Sequence, residues 1–120
     1  MSRTVVVIED DADVRSMLSF ALTAGGWDVV TIGDGVQALE QLRGGLRPCV
    51  ILLDLTMPRM SGAQFVAALR ADASLPQPAI VVLSGDGNVG DKAAALASDD
   101  YLVKPVDLAA LNETLRRHCR

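Results

Sequence analysis

The chain predicts a three-layer α/β sandwich, a parallel β-sheet with helices packed on both faces. Three observations predict it. Strand-like and helix-like stretches alternate five times along the sequence. The strand-like stretches are short apolar runs, such as Val50-Ile51-Leu52-Leu53, that read as strands buried on both faces. The connections are short, and short right-handed crossovers between parallel strands place helices on either side of the sheet.

The elements follow in order. Residues 4–8 form the first strand. Val14, Met17, Leu18, Ala21 and Leu22 then repeat at i, i+3, i+4, i+7 and i+8, the apolar stripe of a helix that stops at Gly25-Gly26. Residues 28–32 form the second strand. Asp34 caps a second helix carrying Val36, Leu39 and Leu42, which ends at Gly44-Gly45. After the third strand, residues 50–54, a third helix follows Gly62 and carries Phe65, Val66 and Leu69. Residues 79–84 are the fourth strand. A glycine-rich loop over 84–90 leads to a short, alanine-rich fourth helix within 91–97. Residues 101–104 are the fifth strand, and Asp107 caps a closing helix with Leu108, Leu111 and Leu115 on one face.

A length of 120 residues predicts one domain over 1–120, with no linker, repeat or low-complexity segment. The chain is 50% hydrophobic and 22% charged, ordinary for a globular protein. A net charge of −4 argues against direct contact with nucleic acid. Arg116, Arg117 and Arg120 read as favourable charge at a helix C-terminus. No apolar run approaches the roughly 18 residues of a membrane span, and the first apolar run is too short for a secretory core. These features predict a cytoplasmic protein with no membrane contact. Cys49 and Cys119 are isolated, with no CxxC and a single histidine, His118. They are expected to be reduced, incidental thiols, and His118 a surface residue. Trp27, between the first helix and second strand, is expected to pack.

The candidate site lies where strands end. Asp54 terminates an apolar strand, and a carboxylate delivered that way is costly unless the strand opens onto a wet, functional edge. Open parallel sheets bind ligands at that carboxyl edge. Glu9-Asp10-Asp11, Ser84 and Lys104 end three other strands. Helix capping accounts for Asp11 or Asp13 but leaves Glu9 and Asp10 surplus. A loop that cradled a phosphate directly would offer glycines and N–H groups rather than consecutive acids. Two carboxylates about 4 Å apart repel by roughly 4 kcal/mol at an effective dielectric of about 20. A magnesium ion turns that repulsion into attraction, and acids, hydroxyl and amine around it suggest metal-assisted phosphoryl chemistry.

In this arrangement the chain resembles the receiver domain of bacterial two-component response regulators, including the single-domain chemotaxis regulator. The resemblance rests on residues 5–11, Arg15, residues 26–29, Asp34-Gly35, Ala38-Leu39, residues 53–62, Leu83-Ser84-Gly85 and residues 100–105. It implies a flavodoxin-like doubly wound (βα)5 fold with strand order 2-1-3-4-5. It implies a signalling module rather than an enzyme, with Asp54 as acceptor of a phosphoryl group from a sensor histidine kinase or histidine phosphotransfer protein. Asp10, Asp54 and the Thr56 main-chain carbonyl would ligate Mg2+, with Glu9 in the outer acidic pocket. Lys104 and the Ser84 hydroxyl would bind phosphoryl oxygens. Tyr101 would be the switch aromatic, Pro105 would follow a cis bond, and Thr56 and Asp86 would tune hydrolysis of the phosphoryl group. The implied output surface is the fourth helix, fifth strand and fifth helix, facing a downstream partner that the sequence does not name or a phosphorylation-linked second copy.

Several positions depart from the family pattern. The stretch from Ser84 to Tyr101 is about two residues short and rich in glycine, which predicts a short or mobile fourth helix. Ala97-Ser98, Val106 and Ser61 stand where Gly-Ala, Phe and Asp are usual. These changes leave room for a phosphorylation-independent pseudo-receiver, which the complete acidic pocket and Lys104 oppose. A haloacid-dehalogenase-type phosphatase would need Thr or Val where Arg15 stands, and a flavin binder would need N–H donors where the acids are.

Overall fold

The computed structural model describes residues 3–55, 60–85 and 98–119. The predicted fourth helix, Thr56 and Asp86 lie outside them. Five strands, β1 (Thr4–Ile8), β2 (Asp28–Ile32), β3 (Val50–Asp54), β4 (Ala79–Ser84) and β5 (Asp100–Val103), form one parallel sheet in the order β2-β1-β3-β4-β5. Among the described residues there are four helices: α1 (Ala12–Ala24), α2 (Gly35–Arg43), α3 (Gly62–Ala71) and the last helix, Leu108–His118.

Alternation along the central strands builds two cores. Val5, Val7, Val50, Leu52, Val81 and Leu83 face Leu18 and Leu22 of α1 and Leu111 and Leu115 of the last helix. Val6, Ile8, Ile51, Leu53, Ile80 and Val82 face Leu39 and Leu42 of α2 and Phe65, Val66 and Leu69 of α3. The period-two pleat sends successive side chains to opposite faces, so both faces need apolar residues and the strand reads as an unbroken run. Each such side chain, once buried, contributes about 1.5–3 kcal/mol of favourable transfer free energy.

The helix ends obey the local rules. The Asp11 side chain accepts from the N–H groups of Asp13 and Val14, Asp34 from Gln37, and Asp107 from Ala109. Ser61 and Gln64 form a reciprocal capping box at the start of α3, so the serine that departs from the family pattern has a structural use. Gly26 and Gly45 adopt φ of 91° and 115°, the left-handed turn that closes α1 and α2. Trp27 is buried as expected. Its Nε1 donates to Asn112 Oδ1 at 3.1 Å, and Arg3 lies over its ring.

Two expectations are corrected. Cys49 and Cys119 are not separate thiols: a disulfide joins them across 70 residues, with Cα atoms 5.2 Å apart. The last helix runs back along the sheet, so its end meets the residue that precedes β3. His118 is not a free surface residue either. It is half-buried, with Nε2 3.1 Å from Asp100 Oδ2, and Arg117 approaches the same oxygen at 3.4 Å.

Candidate functional site

Parallel pairing brings the strand ends to one crevice. Ile8 lies beside Leu53, Asp54 beside Leu83 and Ser84 beside Val103. Glu9 and Asp10 therefore follow β1 beside Asp54, the final residue of β3, while Ser84 ends β4 and Lys104 follows β5. Carboxylate oxygens of Glu9, Asp10 and Asp54 all lie within 4.8 Å of one another. Lys104 Nζ lies 3.1 Å from Glu9 Oε2 and 3.8 Å from Asp54 Oδ1.

Burial separates the members of this cluster. Glu9, Asp54 and Ser84 are buried, at 1%, 6% and 7% exposure, whereas Asp10 is open to solvent. Glu9 is therefore the most buried acid of the three. Burial pushes its carboxyl above the usual glutamate value, Lys104 pulls it down, and the Asp54 charge pushes it up again. Three carboxylates facing one ammonium leave the crevice with excess negative charge. Clustered hard oxygen donors of this kind suit a small divalent cation.

The backbone around the acids is held by bonds that spacing alone does not reveal. Glu9 N–H donates to Ile32 O at 3.1 Å, and Asp11 N–H donates to Glu9 Oε1 at 3.2 Å. Arg15, one turn into α1, donates from Nη1 to the carbonyls of Glu9 (2.7 Å) and Asp10 (3.3 Å). It thus braces the acidic turn through main-chain carbonyls. Lys104 N–H donates to Ser84 O at 2.8 Å, which ties the lysine's backbone to the end of β4. The Lys104–Pro105 peptide is cis. Tyr101, on β5, is 46% exposed. An apolar cavity of about 270 Å³ adjoins Lys104, lined by Val14, Met17, Leu18, Leu83, Pro105 and Val106.

A family model for the response regulator receiver domain matches residues 5–116. The chain belongs to that family. The receiver is 38% identical over 122 residues to the DNA-binding response regulator MtrA of Mycobacterium tuberculosis, covering all of this chain and 52% of that protein. It is 42% identical over 113 residues to the transcriptional regulatory protein PrrA of the same species, covering 92% of this chain and 47% of that one. The receiver thus spans about half the length of these curated relatives. Among solved structures it is similar to a response regulator receiver domain from Bermanella marisrubri (TM-score 0.89, 29% identity, all of both chains). It is also similar to the receiver domain of the sensor histidine kinase PA1611 from Pseudomonas aeruginosa PAO1 (TM-score 0.88, 25% identity, 99% of this chain and 98% of that one). That structure carries a magnesium ion coordinated in its active-site cleft.

Proposed function

We propose that this receiver takes a phosphoryl group onto Asp54 from the phosphohistidine of a sensor histidine kinase or a histidine phosphotransfer protein. One observation carries the reading. Three acids on two adjacent strand ends meet one lysine at the carboxyl edge of the sheet, with Asp54 the last residue of β3. Asp10, Asp54 and the Thr56 carbonyl would hold Mg2+, and the magnesium in the PA1611 receiver supports that choice of ion. Bound there, the ion would supply neutralisation of the negative charge that gathers at the site.

The chain's own groups do the rest. An Asp54 oxygen attacks phosphorus, and the Lys104 ammonium offsets charge on the transferring group. The Ser84 hydroxyl, at the end of the neighbouring strand, accepts the role of partner to a phosphoryl oxygen. Tyr101 then turns inward from its half-exposed position, a differential contact that biases a two-state surface. Water later hydrolyses the acyl phosphate, at a rate that Thr56 and Asp86 tune. The apolar cavity beside Lys104 gives the phosphodonor a place to seat. Output passes through β5, the last helix and the segment over 91–97, to a downstream partner or a second copy. The proposed setting is the cytoplasm, and no helix among the described residues is long and apolar enough to cross a membrane.

Intact mass after incubation with acetyl phosphate, with and without magnesium, tests the reading. One added phosphoryl group that requires magnesium and is absent from Asp54→Asn supports it. No incorporation by a folded protein would favour a receiver that works without phosphorylation.

A further inference from the structure

The Cys49–Cys119 disulfide lies outside the crevice, at the opposite edge of the sheet. Cys49 is the residue before β3, and Cys119 caps the last helix, where its N–H donates to Leu115 O at 2.8 Å. Both cysteines pack half-buried against the core layer formed by α1 and the last helix, so neither is sealed inside it. We propose that this pair is a thiol–disulfide exchange site, addressed by low-molecular-weight disulfides and thiols, that clamps the end of the last helix to the start of β3.

Three features argue for exchange rather than a permanent link. The first rests on the cytoplasmic reading above: disulfides there are generally transient or redox-sensing. The second is that the reduced state has somewhere to go. Cys49 Sγ lies 3.3 Å from the Thr4 carbonyl, an acceptor ready for its thiol proton. The third is that the helix keeps other ties when the bond opens, at its end through His118 and Arg117 to Asp100 and nearer its start through Asn112 to Trp27. Opening the bond therefore loosens the helix end without releasing the helix.

The exchange balances. One cysteine thiolate attacks a small-molecule disulfide, forming a mixed disulfide and expelling one small thiolate. The second cysteine thiolate attacks the protein sulfur of that mixed disulfide, closing Cys49–Cys119 and expelling the second small thiolate. Two electrons pass from the protein sulfurs to the small disulfide, and the two thiol protons end on the departing thiolates.

The test equilibrates the full chain in glutathione buffers from reducing to oxidising. Each sample is alkylated and its intact mass read, with non-reducing electrophoresis to exclude linked dimers. The expected result is a single two-electron transition from two alkyl groups to none, in monomeric protein. Closing a 70-residue loop restricts the unfolded chain, so the oxidised form should melt on the order of 10 °C above the reduced form. Cys49→Ala and Cys119→Ala should melt near reduced wild type and ignore dithiothreitol. Two alkylatable thiols in the most oxidising buffer would overturn the proposal. So would a bond that no glutathione buffer reduces in folded protein, because that bond is permanent. These readouts need no phosphorylation, so their failure is distinct from failure of the Asp54 reading.

Discussion

Lys104 reaches Glu9, Nζ to Oε2 at 3.1 Å, closer than it reaches Asp54. The lysine is the nearest counter-charge of the most buried acid. Removing it by Lys104→Met leaves a buried carboxylate beside a second one. We expect a stability loss of about 1–3 kcal/mol, the range for orphaning a buried polar partner, read by urea unfolding. A loss within error would mean that Glu9 is already protonated in the folded protein.

Glu9→Gln should act in the opposite direction on stability. The Glu9 carboxyl is raised, so folding favours its protonated form, and its ionised form opposes folding at neutral pH. The sign follows directly: this contribution improves as pH falls from the raised folded value towards the ordinary one. Neutral Gln removes the penalty, so Glu9→Gln should equal or exceed wild type in cation-free stability while binding magnesium more weakly. Titration calorimetry and urea melts of the same samples check both halves. Lower stability together with unchanged magnesium affinity would refute this role for the acid.

At the other end of the sheet the pH sign reverses. Burial by itself raises the Asp100 carboxyl, but the His118 bond, the Tyr101 N–H and the Arg117 charge together outweigh it and hold the group below the usual aspartate range. Its contribution to stability is therefore complete above the ordinary aspartate pKa of about 3.9 and lost as pH falls through the lower folded value. Wild type should exceed Asp100→Asn in stability at pH 6, and the gap should close below about pH 4. A gap that stays constant down to pH 2 would show that ionisation is not its source.

Gly62 begins α3 hard against the strand end that carries Asp54. A Cβ there would lie 3.1 Å from Leu55 Cα and 3.3 Å from Asp54 O, and both atoms are backbone. The Gly62 N–H also donates to Leu55 O at 3.2 Å. Gly62→Ala should cost about 1–3 kcal/mol through overpacking and weaken magnesium binding by displacing Asp54. Unchanged melting and unchanged affinity would show that the strand end yields freely.

The parts of the fold legible in sequence were those with strong local signals. The four strands from β1 to β4 read directly because burial on both faces makes each an apolar run. β5 starts one residue earlier than its pattern predicts, since Asp100 is polar yet pairs with Val81. The strand-end acids, Ser84 and Lys104 could be placed at one edge from the alternation alone. Their order of depth could not, and Glu9 proved deeper than Asp10 because its backbone pairs with Ile32. Arg15 was legible as a residue type but not as the brace of the acidic turn. The disulfide and the His118–Asp100 pair were illegible for a common reason. Each depends on where the last helix returns along the sheet, and no local pattern encodes that meeting point.

In the proposed function, Asp54 is where the phosphoryl group goes. Borohydride reduction of acyl phosphate converts a phosphorylated aspartate to homoserine, which peptide mass spectrometry can locate. After treatment with acetyl phosphate and magnesium, homoserine is expected at position 54 alone, and none without magnesium. Homoserine at Asp10 or another acid, with position 54 unmodified, would contradict it.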